Sequence, residues 1–319
     1  MAQAVSLALP DFLHTELPEN PLCLITDDGS SLAPALAKAL SAEGWTPAIL
    51  RFSGLSALVK KKPKSFAKEI ALIELSSSEE SELQTSLKSL GEKYGKIGGF
   101  IHLHPVSSAS SESKLEDGAN AFLKQAFLSA KNVSSFLKDA GNSETRRSFF
   151  LAVIRLDGEL GMGSGQFGAV GSGLSGLIKT ASVEWPDVFC RFVDLQPGLA
   201  AEKAAKCILQ ELHDPDLRIK EVGYSDSGNS GTSRMTVQPK YIRDLTTSKP
   251  GKSLIEKSVF LVSGGARGVT AECVVKLAEA QPCSFILLGR SRMEEEPEWA
   301  KAAGKDEMKL KPAAMQILV

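Results

Sequence analysis

Short, unbroken apolar runs alternate with longer stretches of helical spacing along most of the chain, and this alternation restricts the possible fold more than any other feature. Leu22-Cys23-Leu24-Ile25-Thr26 is the first such run, and a strand buried on both faces reads in this way. Leu32, Leu36 and Leu40 then recur on one helical face, and Gly44 ends that helix. Further strands are predicted over Pro47–Phe52, Ile70–Leu75, Phe100–His104, Phe149–Leu156, Phe189–Leu195 and Ile219–Tyr224. Helices are predicted over Glu79–Lys93, Leu115–Ala140, Leu174–Val183 and Ala201–His213, the second with Phe122, Phe127, Val133, Phe136 and Leu137 along one side.

Strands joined by helices of this length require right-handed crossovers and a parallel sheet covered on both faces. Residues 1–242 are therefore expected to form one α/β domain, doubly wound and Rossmann-like. The polar stretch Ser225–Gly231 reads as a turn, and residues 243–257, with Pro250-Gly251, read as a linker. Residues 258–319 then begin a second unit: strand Val259–Val262, helix Thr270–Ala280 and strand Phe285–Leu288 make one β-α-β. Two strands are too few for a doubly wound sheet, so this is a partial second Rossmann unit, and from Arg292 the sequence turns charged and helix-like. Either the β-α-β leans on the first domain or the chain is a fragment of something longer.

The 319 residues are 43% hydrophobic and 24% charged, ordinary for a soluble globular protein. A formal net charge of −1 gives no electrostatic footprint for nucleic acid or an anionic membrane, and Lys60-Lys61-Lys62 reads as a solvated edge. No apolar run approaches the roughly 20 residues that span a bilayer. Met1-Ala2-Gln3-Ala4-Val5-Ser6 lacks the basic start of a signal peptide, so the cytoplasm is the expected location. The five cysteines form no CxxC pair, and four lie in apolar patterns that predict reduced, buried thiols. The four histidines lack metal-ligand spacing; His102 and His104, alternating on one strand, read as structural, and no metal is expected.

Ser263-Gly264-Gly265-Ala266-Arg267-Gly268-Val269 joins a predicted strand to a predicted helix, the setting in which a glycine-rich loop binds pyrophosphate. Small residues let the backbone approach closely, and the helix N-terminus offers unpaired N–H groups and partial positive charge. After the next strand, where an NAD enzyme carries an Asp or Glu for the ribose 2′-hydroxyl, this sequence has Gly289-Arg290-Ser291-Arg292. A cation there suits a 2′-phosphate, so NADPH is the expected cofactor, with Arg290 and Ser291 selecting it and Arg267 contributing. The competing reading is a plain turn followed by surface arginines.

The corresponding turn of the first domain, Asp27-Asp28-Gly29-Ser30-Ser31, has two carboxylates and a single glycine. It should repel phosphates, with Ser30 or Ser31 serving as a helix cap. Short-chain reductases protonate a carbonyl with a Tyr whose pKa is lowered by a Lys four residues on. Here Tyr94, Tyr224 and Tyr241 are followed at that spacing by Gly98, Gly228 and Leu245. The first domain's helix keeps Lys179 but has Ser175 in place of the phenol, and Lys179 reads as a surface charge. Gly163-Ser164-Gly165 and Gly171-Ser172-Gly173 do not fit a nucleophile turn and read as flexible loop. No catalytic residue is assigned.

Together these features resemble the ketoreductase region of modular polyketide synthases, most closely that of the polyketide-synthase-like polyunsaturated fatty acid synthases. Gly176-Leu177 through Ala181-Ser182-Val183-Glu184-Trp185-Pro186, then Phe192-Val193-Asp194-Leu195 and Glu221-Val222-Gly223-Tyr224, are similar to the structural half of that region. Val259–Thr270 and Phe285–Ser291 resemble the opening of its catalytic half, with Thr270 a departure where Gly is common. The resemblance implies two short-chain-dehydrogenase-like halves and NADPH-dependent reduction of a β-ketoacyl chain on an acyl carrier protein to the β-hydroxyacyl product. It also implies other synthase domains as partners. The family's catalytic Lys, Ser and Tyr would lie beyond Val319, so this chain alone is expected to be inactive. The alternatives are a non-catalytic scaffold module of a megasynthase and a stand-alone NADP(H)-binding protein.

Overall fold

The computed structural model describes residues 2–12, 21–59, 65–105, 112–141, 146–163, 170–228, 231–240, 258–264, 268–280, 283–289, 298 and 301. The Lys60–Lys62 run, the linker 243–257 and all but two residues of the charged segment from Arg292 lie outside them. The chain divides into two compact units, residues 1–241 and 242–319.

The first unit is a nine-stranded sheet in the order β1-β9-β8-β7-β6-β5-β2-β3-β4. Seven strands run parallel: β2 (Leu22–Thr26), β3 (Thr46–Arg51), β4 (Ala71–Glu74), β5 (Ile97–Leu103), β6 (Ser148–Ile154), β7 (Val188–Leu195) and β8 (Glu221–Asp226). Every residue of β2, β5, β6 and β7 is buried, which explains their unbroken apolar runs. Helices α3 (Glu80–Tyr94), α4 (Glu112–Ala140) and α5 (Gly173–Glu184) cover one face, around Phe100, Phe150 and Phe192. Helices α1 (Leu32–Ala42) and α6 (Ala201–Leu212) cover the other, around Ile25, Leu151 and Val193. The sheet reverses its winding between β2 and β5, so the carboxyl ends of those strands form the switch point at which doubly wound sheets bind ligands.

Three elements escape the periodicity. β9 (Thr232–Pro239) pairs antiparallel with β8, and β1 (Ala2–Leu7) pairs antiparallel with β9, making the sheet mixed rather than parallel throughout. β1 is a largely exposed edge strand whose partner β9 is distant in sequence, and β9, lying between β1 and β8, is only partly buried, so neither carries a clear apolar alternation. The turn expected at Ser225–Gly231 is the β8–β9 hairpin. Helix α2 (Leu55–Val59) is only five residues long. On α4 the buried stripe is Phe122, Ala126, Ala130, Val133 and Leu137, and Phe127, expected on that face, points outward at 53% exposure. Gly171-Ser172-Gly173 is not loose: Val170–Ser172 is a 3₁₀ turn leading directly into α5. Cys23, Cys190 and Cys207 are buried, but Cys273 is exposed.

In the second unit, β10 (Val259–Ser263) pairs parallel with β11 (Ser284–Leu288) through helix α7 (Gly268–Ala280). Phe260 and Phe285 stack at 5.4 Å between ring centroids. None of the residues of α7 is buried, and Leu261, Ile286 and Leu288 are each at least half exposed on the two strands. Among the described residues no helix is long and apolar enough to cross a membrane.

Candidate cofactor site

The second unit forms the strand-loop-helix expected around its glycines. Ser263 ends β10, Gly264 turns the chain at φ +71, and Gly268 opens α7 at φ +61. Both are backbone conformations that residues with a Cβ adopt only at a cost. Among the described residues, a Cβ placed on either would meet nothing within 4 Å. Gly264 N–H donates to the Leu288 carbonyl at 2.7 Å. Because Ser263 lies opposite Leu288, the chain that leaves β11 toward Gly289 starts beside the loop. Val269 on the first turn of α7 is 81% exposed. Gly265, Ala266, Arg267, Arg290 and Ser291 lie outside the described residues.

In the first unit the corresponding β2–α1 turn is filled by its own carboxylates. Asp27, fully buried, accepts the Gly29 N–H at 2.8 Å and the Arg51 Nε–H at 2.7 Å. Arg51 also pairs with Glu74, which ties the carboxyl ends of β2, β3 and β4 together. Asp28 accepts the Ser30 N–H at 3.1 Å and the Ser30 hydroxyl at 2.6 Å, and Ser30 Oγ in turn accepts the Leu32 N–H at 3.0 Å. Ser30, not Ser31, is therefore the side chain that caps α1. Burial raises the Asp28 carboxyl while its bonds from Ser30 oppose that rise. A Cβ on Gly29 would lie 3.1 Å from Val59 Cγ2, so this turn is packed closed. Anionic phosphate meets two carboxylates here, and the turn does not fit a dinucleotide.

The switch point is closed as well. Thr26 Oγ1 donates to the Leu103 carbonyl at 3.1 Å, accepts the Leu103 N–H at 2.8 Å, and lies 3.2 Å from His102 Nδ1. His102 Nε2 is 3.5 Å from His104 Nδ1. Burial holds His104 down to about 4; it holds His102 well below its ordinary value, and His104 adds to that. Both rings are thus neutral packing groups, as the alternation suggests. Among the described residues no cluster of three His, Cys, Asp or Glu side chains is arranged to hold a metal.

On α5, Ser175 and Lys179 occupy the i and i+4 positions where a reductase would carry its phenol and lysine, and both converge on Glu221 of β8. Ser175 Oγ donates to Glu221 Oε1, and Lys179 Nζ lies 2.7 Å from Glu221 Oε2. Lys179 is thus a paired surface charge. Asp194, at the end of β7 in the Val193-Asp194-Leu195 motif, accepts the N–H groups of Leu156, Gly158 and Leu160 at 2.7, 3.0 and 2.9 Å. Asp157 beside it accepts those of Glu159, Gly161 and Gly163. Burial and the adjoining Asp157 push the Asp194 carboxyl up to about 7.

A buried ionic network was not legible in the sequence. Arg191, fully buried, pairs with Glu211 and, at 2.9 Å, with Asp214. Arg234 of β9 pairs with the same two carboxylates and donates to the Ala8 carbonyl at 3.1 Å, fastening the chain beyond β1. The Tyr224 hydroxyl donates to Glu211, which accounts for this phenol as structural.

One of the subunits of the polyunsaturated fatty acid synthase of Thraustochytrium sp. (strain ATCC 26185 / S-3) is 30% identical to this chain over 326 residues, 99% of the chain. The chain is a homologue of that synthase protein. It spans 11% of the relative's length. Among solved structures, an N-terminal ketoreductase from the macrolactin assembly line superposes with a TM-score of 0.64 at 14% identity, over 98% of this chain and 56% of its own. A-type ketoreductases from a modular polyketide synthase superpose at 0.51 and 19% identity, over 91% of this chain and 52% of theirs. No protein-family model matches. The fold is therefore that of polyketide-synthase ketoreductases, a short-chain-dehydrogenase-type Rossmann arrangement. The residues that carry the resemblance to the structural half, Gly176–Pro186 and Phe192–Leu195, lie on and just after α5 and on β7.

Proposed function

We propose that the chain is the structural half of a synthase ketoreductase followed by the opening of its NADPH-binding half. The complete region would reduce a β-ketoacyl chain carried on an acyl carrier protein to the β-hydroxyacyl product. The observation that carries this reading is the contrast between the two turns: Asp27 and Asp28 fill the first with the protein's own negative charge, while at Gly264 and Gly268, which flank the second, a side chain would meet no described atom within 4 Å. When bound, NADPH would supply the hydride. The chain's contribution is to hold it: the α7 N-terminus and the backbone from Ser263 to Val269 for the pyrophosphate, Arg290 and Ser291 for the 2′-phosphate. No Tyr in this sequence has a Lys four residues on, so the acid that would protonate the substrate oxygen is not among these residues. Ketoreduction by this chain alone should be absent, and the acyl thioester and the other synthase domains are its expected partners.

The test is a titration of the chain with NADPH and NADH, with Arg290→Ala beside the wild type. Preference for NADPH by about tenfold or more, lost in Arg290→Ala, supports the reading. Equal binding of the two cofactors, or NADPH binding undisturbed by Arg290→Ala, overturns the assignment of Arg290. Absence of any NADPH binding favours the scaffold alternative.

A further inference from the structure

We propose that the first unit self-associates through its free sheet edge, β1 of one copy pairing antiparallel with β1 of a second copy about a two-fold axis. The nine-stranded sheet ends in β1 on one side and β4 on the other. An unpaired edge presents a row of backbone N–H and C=O groups, and native proteins guard such edges by keeping them short or placing charges on them. β4 is guarded in both ways. It has four residues, Lys68 and Glu69 precede it, and Glu74 at its end is paired with Arg51. β1 has six residues, and no residue from Ala2 to Pro10 is charged. Among the described residues no strand pairs with its outer side, and Ala2, Gln3, Ala4 and Ser6 are exposed.

Strand direction and side chains select the occupant. Strand addition draws its affinity from backbone hydrogen bonds and its specificity from the side chains along the edge. β9 joins β8 antiparallel and β1 joins β9 antiparallel, so the sheet grows antiparallel at this margin. A second β1 continues that pattern and sets no charge against a neutral edge. Opposed residues of an antiparallel pair point to the same face, so the two-fold axis relating two copies of one strand must fall at a residue position and not between two. Placed at Val5, it sets Val5 against Val5 of the second copy, Gln3 against Leu7 and Ala4 against Ser6. Val5 and Leu7 are the partly buried residues of the strand, and Leu7 packs against the core on the α1 and α6 side. This register therefore carries that apolar layer across the junction. The joined sheet ends in β4 at both margins, where a short, charged edge stops further addition, so the contact closes as a dimer instead of growing into a fibre. A six-residue edge is small beside the roughly 800 Å² per partner of a stable interface, so the dimer should be weak, with a Kd on the order of 10–100 µM. The inference does not depend on the proposed NADPH site in the second unit.

The experiment is sedimentation velocity on the whole chain from about 1 to 300 µM, a range that brackets the expected Kd. Ala4→Lys and Ser6→Glu are run singly and as an equimolar mixture. Both positions are exposed, and circular dichroism checks that the variants fold. The wild type should pass from monomer to dimer across the range. Each variant alone should associate at least about fivefold more weakly, because the new charge lies diagonally across the axis from its own copy. The mixture should dimerise more tightly than either variant alone, since the new ammonium on one strand then faces the new carboxylate on the other. A chain that stays monomeric throughout overturns the proposal. So does association that neither variant weakens, which would place the contact elsewhere, for instance on the exposed strands of the second unit. Weakening in both variants without recovery in the mixture overturns the antiparallel pairing as well.

Discussion

Asp27 Oδ2 lies 2.7 Å from Arg51 Nε, a carboxylate at the end of β2 held by a guanidinium at the end of β3. In a dinucleotide-binding sheet those two strand ends face the pyrophosphate and the ribose. Here a side chain supplies the negative charge that a cofactor would otherwise bring, so the half-site is complete without a ligand. Asp27→Ala should therefore destabilise the first unit, because it leaves Arg51 in a largely desolvated position with one carboxylate fewer and frees the Gly29 N–H. A loss of roughly 2–4 kcal/mol in urea denaturation is expected. NADPH should not compensate, since Asp28 still occupies the turn.

The parts of this fold legible in the sequence are those where one strand or helix face is fully buried. β2 matches its apolar run residue for residue, and α1 and α6 lie within a residue or so of their predicted ends, because Leu22–Thr26 and the Leu32, Leu36, Leu40 stripe report burial directly. β1 was illegible because it is an exposed edge whose partner lies at the far end of the unit in sequence, and β9, between β1 and β8, because it is only partly buried. The filled turn was readable as a charge conflict at Asp27-Asp28. Its resolution by Arg51 was not, since pairing across 24 positions depends on which strands become neighbours. Glu221 escaped for the same reason: nothing near it in sequence marks it as the partner of Ser175 and Lys179.

The Arg191–Glu211–Arg234 network predicts a severe effect from a conservative change. Glu211 accepts from Arg191, Arg234 and the Tyr224 hydroxyl, all of them buried. Glu211→Gln keeps the shape but removes the charge that offsets two desolvated guanidinium groups. A loss on the order of 3–5 kcal/mol is expected, read by chemical denaturation or by failure to accumulate as soluble protein. Tyr224→Phe, which deletes one donor and leaves Glu211 ionised, should cost about 1–2 kcal/mol.

Protection against hydrogen exchange should differ sharply between the two units. β5 and β6 are buried along their whole length, whereas α7 has no buried residue and both β10 and β11 expose apolar side chains. Local stability follows buried contact. In the whole chain, amides of α7 should exchange at least about a hundredfold faster than those of β5 and β6. Comparable protection in the two would show that the second unit's apolar surface is covered.

Two opposing titrations fall in the same pH window, and their balance is the last prediction. His102 and His104 are held below the ordinary histidine value by burial, His104 to about 4. Their folded pKa values lie below the unfolded one, so the unfolded chain takes up protons first on acidification and stability falls as pH drops from about 6.5 toward 4. Asp194 runs the other way. Its folded value is raised to about 7, chiefly by burial and then by Asp157, so its contribution is complete below about 4 and is lost as pH rises toward 7. Each group changes the slope by at most about 1.4 kcal/mol per pH unit, so two histidines outweigh one aspartate and the wild type should lose net stability between pH 6.5 and 4.5. Asp157→Asn should steepen that loss, because removing the adjoining charge lowers Asp194 and withdraws its opposing term. His104→Gln should flatten it. Denaturation midpoints across this range decide the matter, and a wild type that gains stability on acidification would show that the Asp194 carboxyl, not the histidine pair, governs the response.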